Sequence, residues 1–339
     1  MICIVSCRQS STRNNTNTDE SGFDIRFDTV RINIEKLYNE SPCASKEEYG
    51  HLLENVELQK VCRYQGNYLL NFDSEMIKLS ADLKDYCTFP ISEFDVLQEL
   101  YVRNDSLIVL SARDRSDGIV YFWECFNNEK SCWEELPEKI KHPLLTFAKI
   151  YQDDDYSVSY SNRGEFGTYL LFYDNSSHEE YIFQCQVNRI LRCNDVYYII
   201  GNNSVLKIDN PKKGLVHDGT LYEKPQYSIS RFDEKSYEVV LQDENSLFCS
   251  GFLLDKQLYV VGTSENRIYI DRLEDERKKR VLSIEAKFRT RDDCPFGLDA
   301  NELPDYILLA SAIHEANDFG SFLEINEYKI RLVTFCFCR

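Results

Sequence analysis

Arg113, Arg115 and Arg163 stand in short polar loops of a chain whose formal net charge is -18. A guanidinium can hold a carboxylate through two parallel hydrogen bonds, so these loops are candidates for gripping a partner. Other chemistry lacks its residues. His51, His142, His178, His217 and His314 are widely separated and form no HxH, HxxxH or HExxH spacing, so no zinc or other metal site is expected. There is no G-x-S-x-G nucleophile elbow and no G-x-x-x-x-G-K-[ST] or G-x-G-x-x-G phosphate loop. Gly164-Glu165-Phe166-Gly167 reads as a hairpin turn. The 13 cysteines are scattered without a CxxC pair, and Cys336 and Cys338 read as one strand face, which points to reduced thiols. Carboxylate pairs such as Asp292-Asp293 read as solvated faces in a chain with 57 acidic residues. No catalytic residue and no cofactor is therefore expected.

The elements that must position the arginines read as strands. Tyr (22) and Phe (20) far outnumber Met (2), a bias that favours β structure. Six polar turns each precede an apolar run: Gln65-Gly66-Asn67, Asn104-Asp105-Ser106, Asp153-Asp154-Asp155, Asn194-Asp195, Asp255-Lys256-Gln257 and Pro304-Asp305. A loop and a second apolar run follow each one. The turns recur at ~40 to 60 residues, the interval of a propeller blade. Candidate outer strands are Cys132-Leu136, Glu180-Gln184, Tyr227-Arg231 and Val281-Phe288. The expected fold is all-β: a six-bladed β-propeller of four-stranded antiparallel blades, with a seventh blade in the long 212–256 interval as the alternative. Residues 1–22 are expected as a disordered leader and 23–339 as a single propeller domain. Residues 23–34 are expected as a closing strand, with a bulge near Asp28 and Thr29 or a division there into two short strands, joining the chain ends. A capping box at Ser45-Lys46-Glu47-Glu48 predicts a short helix over 46–55.

The stretch Asn104–Ile140 resembles a kelch repeat: Phe126-Asn127 precede Trp133 by the kelch interval, and Leu136 follows. Tyr173-Asp174 and Ile208-Asp209 resemble degenerate copies. The kelch double glycine is absent, with Ser111-Ala112 in its place. The resemblance implies a kelch-like scaffold or receptor with a protein partner.

In a propeller the loops joining second and third strands emerge together. This gathers Arg113 and Arg115 with Asn162 and Arg163, then Asn202, Glu265, Asn266, His314 and Glu315, as a partner-binding face. A hydrolase or lyase using carboxylates near the central channel is the alternative. The acidic charge argues against nucleic acid, and no run approaches the ~18 apolar residues of a membrane span. Arg277-Lys278-Lys279-Arg280 resembles a nuclear-import patch but follows Glu274-Asp275-Glu276. The N-terminal MICIVSC resembles a lipobox, yet its apolar stretch falls short of the roughly 7–15 residues of a signal. A cytoplasmic protein is expected, with an exported lipoprotein tethered through Cys7 as the alternative. Of five N-x-[ST] sequons, Asn14, Asn39, Asn104, Asn175 and Asn202, each matters only after secretion.

Overall fold

The computed structural model describes residues 22–33, 36–37, 58–72, 75–91, 96–103, 105–115, 118–136, 148–162, 168–216, 236–264, 267–274, 277–286, 305–311 and 320–338. Its strands form six sheets, the blades of a six-bladed propeller. Blade 1 holds β2 (Leu58–Tyr64), β3 (Asn67–Phe72), β4 (Glu75–Leu79) and β5 (Tyr86–Thr88). Blade 2 holds β6 (Val96–Arg103), β7 (Ser106–Arg115), β8 (Gly118–Asn127) and β9 (Cys132–Glu135). Blade 3 holds β10 (Ala148–Gln152), β11 (Tyr156–Asn162), β12 (Thr168–Asp174) and β13 (Glu180–Gln184). Blade 4 holds β14 (Arg189–Cys193), β15 (Val196–Ile200), β16 (Ser204–Ile208) and β18 (Glu238–Gln242). Blade 5 holds β19 (Leu247–Leu254), β20 (Gln257–Ser264), β21 (Arg267–Glu274) and β22 (Arg277–Glu285). Blade 6 holds β23 (Tyr306–Ser311), β24 (Ser321–Asn326), β25 (Lys329–Cys338) and, from the other chain end, β1 (Asp24–Asn33).

The expected turns join first to second strands. Gln65, Gly66, Asp105, Asn194, Asp195, Asp255 and Lys256 all carry positive φ, the conformation that two-residue hairpins need to match strand twist. Middle strands are covered by a blade on each side, so pairs such as Leu69-Leu70, Ile199-Ile200 and Val260-Val261 are buried on both faces. This is why the sequence shows continuous apolar runs there rather than strict alternation.

Three expectations need correction. The blades are not uniformly antiparallel, because β1 runs parallel to β25 along ten aligned pairs from Asp24↔Lys329 to Asn33↔Cys338. The amide of Glu327 donates to the Asp305 carbonyl as that of Asn175 donates to Asp155, so β23 matches a second strand and β25 a fourth. A strand added outside β25 must run the same way to leave the chain at the end of the ring where β2 begins. Nor is β1 bulged or divided: its register is unbroken, with Val30 and Ile32 inward and Phe27 54% exposed. The phase change in its sequence arises because Ile25 packs on the cluster shared with blade 5, whereas Val30 and Ile32 enter the cluster shared with blade 1. The 212–256 interval forms no seventh sheet among the described residues. Instead the chain leaves β16 through a 3-10 turn at Pro211–Lys213 and adds β17 (Leu215–Val216) to blade 3 as a fifth strand. It then returns as β18, so Glu238–Gln242 is the outer strand of blade 4; Tyr227-Arg231 lies outside the described residues. The expected helix over 46–55 and all but Gly22 of the leader also lie outside them.

Candidate functional site

The ring has two faces. The turn face carries the connections from first to second and from third to fourth strands. The loop face carries those from second to third strands and from blade to blade. The hairpin-closing pairs on the loop face are Phe72↔Glu75, Arg115↔Gly118, Asn162↔Thr168, Ile200↔Val205, Ser264↔Arg267 and Ser311↔Ser321. Arg113 and Arg115 end β7, and Asn162 ends β11. Asn202 sits half-buried between β15 and β16. Arg163, Glu265, Asn266, His314 and Glu315 lie outside the described residues.

Asn202 is built into the ring. Its side-chain oxygen accepts from Asn188 at 2.9 Å, and its carbonyl accepts the amide of Phe248, tying blade 4 to blade 5. The same boundary holds Asp243, which pairs with Lys278 and accepts from Ser246. Those contacts, Lys278 first, depress the Asp243 carboxyl to about 2. Lys278 also lies 3.8 Å from Asp271, which is itself paired with Arg280. Half of the basic run is therefore engaged in ion pairs with acids of blade 5 and its connector. Asn175 is likewise structural, donating to the carbonyls of Asp153 and Asp154 at 3.1 and 3.2 Å.

The arrangement that sequence reading missed lies at two seams. Between blades 3 and 4, the Asp153 carboxylate accepts from Tyr197 at 2.7 Å and Tyr151 at 3.2 Å, with Arg192 3.0 Å away. Between blades 6 and 1, the Glu324 carboxylate accepts from Tyr68 and, at 2.8 Å, from Tyr306, with Arg63 at 3.7 Å. Each clamp thus takes a carboxylate from one blade and an Arg–Tyr hairpin pair from the next. Arg63 pairs across the hairpin with Tyr68, and Arg192 with Tyr197. The guanidinium carbon of Arg63 lies 4.1 Å from its tyrosine ring centre, and that of Arg192 5.4 Å. An Arg-x-x-x-x-Tyr spacing around the first turn is the signal both clamps share.

Burial and the neighbouring carboxylate keep these phenols protonated: Tyr68 is pushed up to about 12, and Tyr197 and Tyr306 are raised as well. Burial pushes Asp153 up, but the amide of Tyr156 and the Tyr197 hydroxyl outweigh it and hold the carboxyl below its ordinary range. A carboxylate so saturated with donors is a poor general base. The clamps are fastenings. Arg189, buried in β14, reaches across the ring to the Tyr306 carbonyl at 3.3 Å.

The kelch-like Trp133 packs against Phe126 of its own blade and Phe89 of blade 1, and its indole N–H donates to the Pro90 carbonyl. Among the cysteines, Cys62 and Cys249 are buried, whereas Cys87 and Cys132 are exposed on outer strands. Burial pushes the Cys185 thiol up to about 12. Among the described residues no group of His, Cys, Asp or Glu is arranged to hold a metal, and no helix is long and apolar enough to cross a membrane.

No family model and no curated protein matches the chain. Solved structures similar to it include a luciferin-regenerating enzyme at 9% identity and TM-score 0.45, covering 80% of this chain and 91% of that one. YjhT, at 10% identity and TM-score 0.45, covers 82% of this chain and 98% of its own. The tricorn protease, at 10% identity and TM-score 0.48, matches over 82% of this chain but only 26% of its own. The six-bladed propeller itself rests on the six sheets of this chain.

Proposed function

We propose that the chain is a protein-interaction module that reads a partner segment across the loop face, in the manner of kelch-like scaffolds. The observation that carries this reading is the strand register. In that register Arg115 stands on the closing rung of the β7–β8 hairpin and Arg113 two rungs before it, and Asn162 stands on the closing rung of β11. Cations at the loop face of a chain of net charge -18 suit a partner that presents carboxylates. Arg163, Glu265, Asn266, His314 and Glu315 lie outside the described residues and join the proposal only by their sequence positions between second and third strands. The setting is cytoplasmic.

The test is an affinity capture with the native chain and with Arg113, Arg115 and Arg163 all changed to Glu. The reversed chain keeps its thermal unfolding transition and loses the partners that the native chain retains. An unchanged partner set from a folded triple variant sinks the assignment of this face.

A further inference from the structure

The outer edge of blade 6 is closed by a strand with little of its own to hold it there. Only Val30 and Ile32 of the ten residues of β1 are fully buried, whereas six of the eight residues of β20 are. β1 lies at the end of its sheet and pairs in parallel, the slightly weaker geometry per residue. Beyond its backbone ladder to β25 and the buried Val30 and Ile32, it is held by three contacts, each on a different blade. Phe23, just ahead of the strand, meets the rings of Phe252 and Tyr259 in blade 5 edge-on at 6.3 and 6.1 Å. In the middle, Asp28 accepts from Arg331 of β25 at 2.6 Å. Arg331 itself reaches the Ala81 carbonyl of blade 1 at 3.1 Å. At the far end, the Asn33 amide donates to the Tyr86 hydroxyl at 2.6 Å, and the Lys36 ammonium donates to the Tyr86 carbonyl at 2.7 Å.

We infer that β1 is a detachable strap, and that the β25 edge beneath it is a strand-accepting site whose alternative occupant is β1 of a second copy of this chain. A sparsely buried edge strand opens at lower free energy than the core strands it covers, and an exposed edge is a template for another strand. The second copy supplies the same Phe23, Asp28 and Asn33 at the same spacing, so every anchor can be remade between molecules. Residues 34–57 join the strap to Leu58, a length that spans up to about 80 Å when extended. Exchange therefore needs no movement of the blades. This inference concerns the rim of blade 6 and does not depend on the partner-binding face.

The test uses a fluorescent peptide of residues 22–33 against the full chain. Asp28→Asn in the chain loosens its own strap, so this variant should bind the peptide about tenfold more tightly than the native chain does, the loss of one charge-assisted contact. Phe23→Ala in the chain acts at the opposite end of the strap and should have the same effect. A peptide carrying Asp28→Arg should bind neither chain, because it sets like charges together at Arg331. Equal binding to native and loosened chains, or binding to none of them, overturns the inference. Hydrogen exchange of the native chain gives an independent reading. The amides of Asp24–Asn33 should exchange at least about 100-fold faster than those of β20, and equal protection of the two strands also overturns it.

Discussion

The seam between blades 3 and 4 and the seam between blades 6 and 1 lie on opposite sides of the ring and use the same fastening in different settings. Each joins a carboxylate to two phenols and a guanidinium. Asp153 sits in a turn, and one of its oxygens also accepts the amides of Asp155 and Tyr156 at 2.9 and 2.8 Å. Arg192 is shared there with Asp155 and Asp195. Glu324 sits inside a strand, and among the described residues its partners are the side chains of Tyr68, Tyr306 and Arg63. The covalent context differs too. Blades 3 and 4 are consecutive in the chain, whereas blade 6 is joined to blade 1 only through β1, which is held to β25 by hydrogen bonds alone. A seam within the chain keeps its neighbours close even when a clamp fails. The closing seam lacks a direct tether of that kind and relies on its clamp and on the added strand β1.

The comparison breaks most directly at the carboxylates. Glu324→Ala leaves two buried hydroxyls and Arg63 without their acceptor and should lower unfolding free energy by about 4 kcal/mol. Asp153→Ala, at a seam that the chain itself spans, should cost about 2 kcal/mol, part of it from the lost turn cap. Urea denaturation followed by tyrosine fluorescence ranks the two. Equal costs would mean that chain closure adds nothing to the demand on Glu324. Between them falls Gly320→Ala. Gly320 has φ +123, and an added Cβ would stand 2.6 Å from the Leu58 Cβ across the closing seam. Backbone strain and overpacking together should cost about 3 kcal/mol. Gly66→Ala at φ +76 meets open space and should cost only about 1 kcal/mol.

Much of this ring was legible in the chain, because the hairpin turns declare themselves. Asn194-Asp195 and Asp255-Lys256 combine polar residues with left-handed backbone, and the runs after them are apolar because blades cover both faces. Other features were hidden for physical reasons. The outer strand of blade 4, Glu238–Gln242, buries only Leu241 fully and leaves Val239 51% exposed, so its pattern is faint. The excursion that adds Leu215–Val216 to blade 3 is secured by Lys212 to Asp174 at 2.8 Å, a contact that no local period reveals. The closing clamp joins residues 256 positions apart. Only its Arg63-to-Tyr68 half has a sequence signal, matched by Arg192 and Tyr197. On the candidate loop face, the positions of Arg113, Arg115 and Asn162 at hairpin ends followed from the turn count. The structural duty of Asn202 did not, because Asn188 and Phe248 meet it from neighbouring segments.

The smallest effects are pH limbs, and they separate the closing seam from the boundary between blades 4 and 5. Tyr68 keeps its proton in the folded state up to about 12, while an unfolded tyrosine releases it near 10. The stabilisation from its neutral hydroxyl is full below about pH 10 and falls as pH rises toward 12. Tyr68→Phe should flatten that alkaline limb while leaving the acid limb as it was. Asp243 behaves in the opposite sense. Its folded carboxyl is depressed to about 2, by Lys278 before Ser246, against an ordinary value near 3.9. Its contribution is full above about pH 4 and is lost as pH falls toward 2. Asp243→Asn should therefore lower stability at neutral pH and reduce its slope between about pH 4 and 2, with the alkaline limb intact. Urea midpoints of both variants across the two ranges give the answer. If Asp243→Asn leaves the acid slope unchanged, Lys278 is held by Asp271 rather than Asp243, and the tie between blades 4 and 5 rests on Asn202 and Asn188.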